Sequence, residues 1–181
     1  MVRALILSFM LLLGVSAVHA ETLDPQNTIY LDLKDGRVVI RLRPDLAPKH
    51  VEQIKTLVQQ GFYDGIVFHR VIEGFMAQTG DPTGTGMGGS KLPNLPAEFT
   101  PQPFNRGTLG MARSNDPNSA NSQFFICFQP ASFLNGKYTV FGEVVSGMEF
   151  VDKIKRGDQA QNGMVKAPDK IIKMQLMADS K

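Results

Sequence analysis

The sequence is poor in the residues that build disulfides, metal sites and charge-driven interfaces. Its 181 residues include one cysteine, three histidines and no tryptophan, and the formal net charge is only +2. A single thiol excludes an internal disulfide, and the few histidines and the cysteine do not have the spacing of a zinc site. The small net charge gives no strong attraction to nucleic acid or anionic lipid. We therefore expect no metal, no cofactor and no nucleic-acid partner.

The one long apolar run lies at the start of the chain. Arg3 gives a short positive beginning, residues 4–18 are apolar, and Val18-His19-Ala20 ends the run at the spacing of a cleavage site. This pattern is typical of a secretory signal peptide cut after Ala20. About 15 apolar residues are few for a membrane span, which needs roughly 20; an uncleaved N-terminal anchor is the alternative. We predict a signal peptide at residues 1–20, a single domain at residues 21–181, and no membrane attachment after cleavage.

The remaining cysteine and histidines have unremarkable surroundings in the sequence. Cys127 stands in the apolar segment FFICF at residues 124–128, which predicts a small buried side chain rather than a reactive thiolate. His69 directly precedes Arg70, so on a strand the two side chains point to opposite faces. We interpret His69 as a packed or surface residue, and no serine has the context of a catalytic nucleophile.

Short segments of alternating apolar residues dominate the rest of the chain. Strand patterns occur at residues 27–33, 38–42, 67–72, 75–79, 108–112, 123–128, 138–145 and 171–177. Helical stripes follow Pro48 and Ser146, and Ser146 with Glu149 has the spacing of a capping box. Strands and helices do not alternate, which favours an antiparallel sheet. We predict a mainly β fold, a closed eight-stranded antiparallel barrel capped by two α-helices.

A glycine-rich segment at residues 84–89 matches the pattern G-x-G-x-x-G. A dinucleotide site needs a strand before this pattern and a helix after it. Here the sequence LPNLP follows at residues 92–96, and its two prolines are incompatible with a helix. We interpret the glycines as a tight, mobile loop; a nucleotide-dependent enzyme is the alternative that this context disfavours.

Two polar side chains interrupt the apolar segment VFHRVIEGFMAQTG at residues 67–80. Arg70 and Gln78 stand among Phe, Met, Val and Ile. Residues two apart on a strand share a face, so Gln123 and Phe125 share one face of their strand. A sheet face that carries Arg70, Gln78, Gln123 and their apolar neighbours would form a pocket with convergent polar groups, the usual anatomy of a ligand site. An arginine lying over a hydrophobic surface is an equally good interpretation of the spacing alone.

Three blocks of sequence together resemble the cyclophilin family of peptidyl-prolyl cis-trans isomerases. They are FHRVIEGFMAQTGDPTGTG, GMARSNDPNSANSQFFICF and FLNGKYTVFGEVVSGMEFVDKI, and the resemblance runs over residues 28–177. The sequence is most similar to the exported bacterial branch of the family. The resemblance implies an eight-stranded barrel with two helices and a peptide groove on the outside of the barrel. It also implies rotation about X–Pro bonds without a cofactor.

By match of motif, the resemblance assigns the site residues. It implies that the catalytic residues are Arg70, Phe75 and Gln78. It implies that the substrate-binding residues are Met76, Ala112, Arg113, Gln123, Phe125, Phe133, Leu134 and Tyr138. Arg70 would act on the peptide, Gln78 and Gln123 would hold the substrate and orient the arginine, and the apolar residues would hold the proline ring. Arg113 would contribute mainly through its backbone.

Three positions depart from the pattern of many eukaryotic members. Phe133 replaces a tryptophan, Tyr138 a histidine and Arg113 an asparagine. The loss of the indole N–H implies weakened binding of the cyclic peptide cyclosporin. The other two changes are expected to be tolerated, because Tyr138 can pack and hydrogen-bond and a backbone contact does not depend on the side chain.

These observations predict an isomerase that acts on proline-containing unfolded or flexible polypeptides. We expect it to assist the folding of exported proteins in a bacterial periplasm and to be a monomer. The alternative function is a non-catalytic proline-peptide binding module or holdase that uses the same groove. The alternative location is a eukaryotic secretory lumen.

Overall fold

One antiparallel sheet of eight strands is the scaffold of the molecule. The computed structural model describes residues 22–180, so the predicted signal peptide lies outside the described residues. The strands are β1 (Thr28–Leu33), β2 (Gly36–Leu42), β3 (Arg70–Ile72), β4 (Met76–Thr79), β5 (Thr108–Met111), β6 (Phe124–Cys127), β7 (Val140–Ser146) and β8 (Lys173–Leu176). The helices are α1 (Pro48–Gln59) and α2 (Met148–Val151), with four short 3-10 helices at Pro25–Asn27, Ser132–Leu134, Gln159–Gln161 and Met177–Asp179. Within residues 22–180 no helix has the length and hydrophobicity needed to cross a membrane.

The sheet curls into a half-barrel. Its strand order is β3-β4-β6-β5-β7-β2-β1-β8, and all neighbouring strands run antiparallel. The prediction of a mainly β, eight-stranded antiparallel fold with two helices is confirmed. The predicted closure is not shown, because β3 and β8 end the order and are not paired with each other over the described residues. The two ends approach through residues outside the strands, where the Phe68 N–H donates to the Asp169 carbonyl.

Each face of the sheet has its own apolar cluster. The side chains of Phe124 and Ile126 alternate into the large core, together with Ala77 and Leu109. Met76, Phe104, Phe125, Cys127, Ala131, Leu134 and Val140 form a second buried cluster on the other face. The period of two in β6 predicted this division, and the structure confirms it. Cys127 is fully buried, which raises the pKa of its thiol to about 12, so it is not available as a nucleophile at neutral pH.

Helix α1 is capped by a distant residue. Pro48 occupies its first turn as predicted, but the N-cap residue Ala47 has no side chain that can accept a hydrogen bond. Glu98 takes this role, because its carboxylate accepts from the backbone N–H groups of Lys49 and His50 at 3.2 and 3.1 Å. The same carboxylate lies 2.6 Å from Nδ1 of the buried His50 ring. The long segment 80–104 is thereby attached to the helix.

Helix α2 begins differently from the prediction. Ser146 ends β7, and Gly147 occupies the N-cap position without a side-chain hydrogen bond. A side chain at Gly147, where φ is 83°, would come within 2.4 Å of the Arg37 carbonyl oxygen. The predicted capping box is therefore wrong, because the close approach of β2 leaves room only for glycine. Val151 is buried as its helical stripe predicts.

Candidate active site

Strand register places the main polar and apolar candidates in one row. Arg70 is opposite Gln78 in the β3–β4 pair, Gln78 is opposite Phe125 in the β4–β6 pair, and Phe125 is opposite Gly110 in the β5–β6 pair. Residues that face each other across antiparallel strands point to the same side of the sheet. The row therefore lies on the face of the second apolar cluster, outside the main core.

Gly110 leaves the space that Phe125 fills. A Cβ atom at residue 110 would lie 2.4 Å from the Phe125 ring and 2.6 Å from Phe104. The rings of Phe104 and Phe125 stack with centroids 5.7 Å apart, and Tyr138 meets Phe125 edge-on at 6.0 Å. Sequence reasoning missed both Gly110 and Phe104. The strand period could have indicated Gly110, since a glycine on the outer face of β5 marks a close approach of another group.

Arg70 is held by amides alone. Nη1 donates to Oε1 of Gln78 at 3.2 Å, Nε to the backbone oxygen of Asn162 at 3.0 Å, and Nη2 to Oδ1 of Asn162 at 2.9 Å. No carboxylate of the described residues forms a salt bridge with it. A guanidinium has five N–H groups, so two of them have no partner among residues 22–180. These two N–H groups are available to a bound molecule.

The charge on Arg70 survives its partial burial. Burial lowers the pKa of this guanidinium below its ordinary value, and the neighbouring Tyr138 acts in the opposite direction. An arginine side chain remains protonated in proteins at neutral pH. The site therefore presents a permanent positive charge with aligned donors, where water is partly excluded.

A line of amides connects Arg70 to the glycine-rich loop. Nε2 of Gln78 donates to Oε1 of Gln123 at 2.9 Å. Nε2 of Gln123 donates in turn to the backbone oxygens of Gly86 and Gly88, at 3.0 and 2.8 Å. The orientation of each side-chain amide is fixed by the next one, so Gln78 can only present its oxygen to the arginine.

Asp81 organises the glycine-rich loop. Its carboxylate accepts from the backbone N–H groups of Thr83, Thr85, Gly86 and Gly88 at 2.7, 3.1, 2.6 and 3.1 Å. Burial alone would raise the pKa of Asp81, but the bonds from Thr83, Gly88 and Gly86 lower it to about 2. The N–H groups that a phosphate would need are occupied by this carboxylate, and no helix follows. Both facts argue against nucleotide binding at residues 84–89.

Ten of the eleven predicted site residues line one cavity of about 330 Å³. They are Arg70, Phe75, Met76, Gln78, Ala112, Arg113, Phe125, Phe133, Leu134 and Tyr138. The eleventh, Gln123, lines an adjoining cavity of about 520 Å³, whose wall also includes Gln78, Ala112 and Arg113. The structure thus brings the predicted set together, and the role of each residue remains a prediction.

Arg113 has a second feature besides its backbone. Within the described residues its backbone N–H and C=O have no hydrogen-bond partner, which agrees with the predicted backbone contact to a peptide. Its guanidinium lies over the Tyr138 ring, 4.3 Å from the centroid, and Nη2 donates to the Lys137 carbonyl at 2.9 Å. The Tyr138 ring thus packs between the Arg113 guanidinium and the Phe125 ring.

Sequence reasoning missed Asn162, which holds two of the three bonded nitrogens of Arg70. Asn162 is 92 residues away from the arginine, and its φ of 54° is in the left-handed region. The dipeptide Asn162-Gly163 is a turn signal, but a turn signal alone gives no partner. His69 is buried, and its ring nitrogens have no partner in the described residues. It lies outside β3 and lines the same cavity of about 490 Å³ as Arg70, so the structure does not show the predicted opposite faces.

The side chains of the site can hold an apolar group and donate hydrogen bonds beside it. Among residues 22–180 no group of His, Cys, Asp and Glu side chains is arranged to hold a metal ion. An apolar pocket beside a fixed cationic donor can bind a small apolar ring and stabilise a lone pair next to it.

Comparisons with known proteins agree with this geometry. The family of cyclophilin type peptidyl-prolyl cis-trans isomerases matches residues 28–176. A probable peptidyl-prolyl cis-trans isomerase of Brucella suis is 60% identical and covers 93% of this chain and 92% of its own length. Peptidyl-prolyl cis-trans isomerase B of Bacillus subtilis is 43% identical over 72% of this chain and 92% of its own.

Solved structures show the same fold. A cyclophilin from Hirschia baltica has a TM-score of 0.78 at 28% identity and covers 88% of this chain and 77% of its own. A Cryptosporidium parvum cyclophilin, solved in the presence of the dipeptide Ala-Pro, has a TM-score of 0.75 at 29% identity, over 82% of this chain and 98% of its own. The fold and the outer-face pocket define a cyclophilin. The chain belongs to this family, and it is a peptidyl-prolyl cis-trans isomerase.

Proposed function

We propose that Arg70 accelerates rotation about X–Pro bonds by donating a hydrogen bond to the prolyl nitrogen. The peptide bond resists rotation by about 18–20 kcal/mol, because resonance gives its C–N bond partial double-bond character. In the twisted amide the nitrogen regains its lone pair and can accept a hydrogen bond that the planar amide cannot. A donor aimed at this atom therefore binds the transition state better than either isomer, and this difference is what lowers a barrier.

The observation that carries this proposal is that Arg70 has no carboxylate partner among the described residues. A carboxylate partner would neutralise the guanidinium and occupy its donors, whereas the amides of Gln78 and Asn162 fix its position and leave its charge. In partly dry surroundings such a charge acts more strongly than in water. Each 1.36 kcal/mol removed from the barrier is tenfold in rate, so about 7 kcal/mol would give roughly 10⁵-fold.

The proline ring is proposed to sit against the apolar side of the same cavity. Phe125, Met76 and Leu134 are buried and belong to one cluster, with Phe75 packed against it. These contacts would hold the proline ring fixed while the acyl side of the X–Pro bond rotates. The free backbone groups of Arg113 would pair with the peptide on the acyl side. Because Phe133 has no N–H to donate, weakened binding of cyclosporin remains our expectation.

The experiment that tests this function is turnover of a short X–Pro peptide by the wild-type chain and by Arg70→Ala. We expect the variant to keep its circular dichroism spectrum and to lose at least about tenfold in rate, the equivalent of one hydrogen bond to a charged donor. An unchanged rate would remove the role of Arg70. A wild-type chain that binds the peptide without turnover would instead support the binding-module or holdase alternative.

The proposed setting is the bacterial periplasm, with exported polypeptides as substrates and a monomeric enzyme. The signal-like residues 1–20 and the similarity to the exported bacterial branch support this setting. Isomerisation needs no ATP, which suits a compartment outside the cytoplasm. Fractionation of cells that produce the full chain tests it, and recovery of the protein with the cytoplasmic fraction would contradict it.

We further propose that residues 65–68 and 169–171 close the half-barrel into a complete barrel around its core.

A further inference from the structure

A few large apolar side chains are exposed in the described part of the chain, and half of them surround the active site. The exposed residues are Met87, Phe99, Phe133, Val145, Met164 and Ile172. Three of these line cavities around the site: Met87 the 520 Å³ cavity, Phe133 the 330 Å³ cavity and Met164 a third of about 490 Å³. We call Met87, Phe133 and Met164 the apolar rim.

The three cavities meet at one residue. Gln78 lines all of them, and Arg70 separates the proline cavity from the Met164 cavity. The rim therefore surrounds the row in which Arg70 and Gln78 lie, and it is continuous with the proposed proline pocket. A polypeptide whose proline occupies the central cavity would extend past Met87 or Met164 on leaving it.

The chemistry of the walls indicates what would lie there. No carboxylate lines any of the three cavities in the described structure, and the two cations, Arg70 and Arg113, are hydrogen-bonded to the protein itself. The other polar groups of the walls are backbone of the glycine-rich loop, amides, hydroxyls and the imidazole of His69. Such walls can bind the backbone of an extended chain, and their charged groups, Arg70 and Arg113, would repel a basic side chain.

Methionine at two of the three rim positions favours a variable apolar partner. Its unbranched, polarisable side chain adapts to many shapes and is common on surfaces that bind diverse sequences. Met87 is 91% exposed, so its side chain is accessible to a bound polypeptide. Apolar residues next to a proline are exposed in unfolded chains and largely buried in folded ones.

We propose that the apolar rim makes the enzyme selective for X–Pro bonds in unfolded segments with apolar side chains on both sides of the bond. The occupant of the outer cavities is then an extended apolar stretch of the substrate, and not a basic peptide or a second copy of this chain. This inference rests on the proposed function, because it assumes that the X–Pro bond turns in the central cavity.

The test compares two peptides of equal length that share an Ala-Pro core. One has leucine on both sides of the core and the other has serine at the same positions. We expect the wild-type kcat/KM to be at least about fivefold higher for the leucine peptide, since partial burial of two leucines on the rim favours it. The double variant Met87→Ser/Met164→Ser should bring this ratio close to one.

Ile172→Ser is the matched control, because Ile172 is 54% exposed against 55% for Met164 and lines none of the three cavities. It should keep the wild-type ratio. Equal turnover of the two peptides by the wild type would overturn the inference and leave the proposed function standing, whereas no turnover of either would reject the function itself. Self-association in sedimentation that only the double variant abolishes would assign the rim to a second copy and overturn the inference as well.

Discussion

Asn162 holds the Arg70 guanidinium in place without neutralising its charge. It binds two of the guanidinium nitrogens with neutral oxygens, one from the backbone and one from the side chain. A neutral acceptor orients the guanidinium without cancelling its charge, which a carboxylate in the same place would do. The activity proposed for Arg70 therefore depends on the amide character of residue 162.

Asn162→Asp tests this dependence with the smallest possible change. The new carboxylate would lie where Oδ1 now accepts from Nη2 at 2.9 Å, and the resulting ion pair should lower kcat by about tenfold with little change in peptide affinity. Asn162→Gly is the control: it tolerates the φ of 54° and keeps the backbone bond. Turnover by the aspartate variant at the wild-type rate would show that charge isolation is not needed.

The candidate site residues could be predicted from the sequence only where a strand or a motif carries them. Arg70 and Gln78 are eight residues apart on two strands of a hairpin, so their pairing follows from local geometry. Gly110 could have been inferred from the strand period of β5, whereas Phe104 lies in a loop before this strand and has no period to indicate it. Asn162 could not, because its contact with Arg70 depends on how the whole chain folds back, and a turn signal gives no information on its partner.

The glycine-rich loop at residues 84–89 does not have the structure that its match to a dinucleotide motif suggests. Residues 84–89 have the glycines of a dinucleotide loop, yet their N–H groups surround a side chain of the protein, Asp81. A buried carboxylate thus replaces a phosphate as the anion in the loop. The loop then supplies the carbonyls of Gly86 and Gly88 that fix Gln123.

Asp81→Asn should release this loop. An asparagine offers one acceptor oxygen and turns its NH₂ toward N–H donors, so we expect a loss of roughly 2–3 kcal/mol in the free energy of unfolding. Amide hydrogen exchange at Thr83, Thr85, Gly86 and Gly88 should accelerate, and kcat/KM should fall because Gln123 loses its support. Urea denaturation and exchange measurements check this.

Asp116→Asn is the matched control, because Asp116 is exposed and accepts from the backbone N–H of Asn118 in a neighbouring loop. It should change the unfolding free energy by less than about 0.5 kcal/mol. If both substitutions gave the same small effect, Asp81 would not be what organises residues 83–88.

The ends of the helices show where sequence patterns fail at this scale. The apolar stripes of α1 and α2 predicted the buried faces, because helical period alone determines which side chains face the sheet. The caps were not predictable: Glu98 reaches α1 from a distant loop, and β2 excludes a side chain at Gly147. Both caps depend on tertiary contacts.

The whole molecule is a sheet with two apolar faces, one packed into the main core and one carrying the candidate site. Period-two alternation predicted this arrangement and the eight antiparallel strands, because the alternation within a strand shows which of its side chains share a face. Closure of the barrel is a different kind of property, because it depends on the total curl of the sheet. No single strand carries that information, and β3 and β8 end the described sheet without pairing with each other.

The two buried histidines make the stability of the molecule depend on pH. Burial lowers the pKa of His50 and of His69 from the ordinary 6.5. Glu98 acts in the opposite direction on His50, and Asp81 does so on His69. The unfolded chain therefore takes up protons near pH 6.5 that the folded chain does not. The free energy of unfolding should be constant above about pH 7.5 and fall as the pH drops through 6.5 toward the lowered folded values.

Urea denaturation at pH 7.5, 6.5 and 5.5 measures this loss. His69→Phe should flatten the curve, because His69 has no hydrogen-bond partner to lose among the described residues and phenylalanine does not titrate. A stability that stayed level or rose on acidification over this range would contradict the burial of two neutral imidazoles.

The most direct test of the account is the rate of cis–trans exchange of a bound X–Pro peptide, measured by NMR at saturating peptide on the wild type and on Arg70→Ala. Saturation separates kcat from affinity. If Arg70 acts on the twisted amide, exchange on the variant should be at least about tenfold slower, while peptide affinity changes much less, because the apolar pocket is intact. Equal exchange rates on the two proteins, or a loss confined to affinity, would show that the arginine binds the substrate without stabilising its rotation.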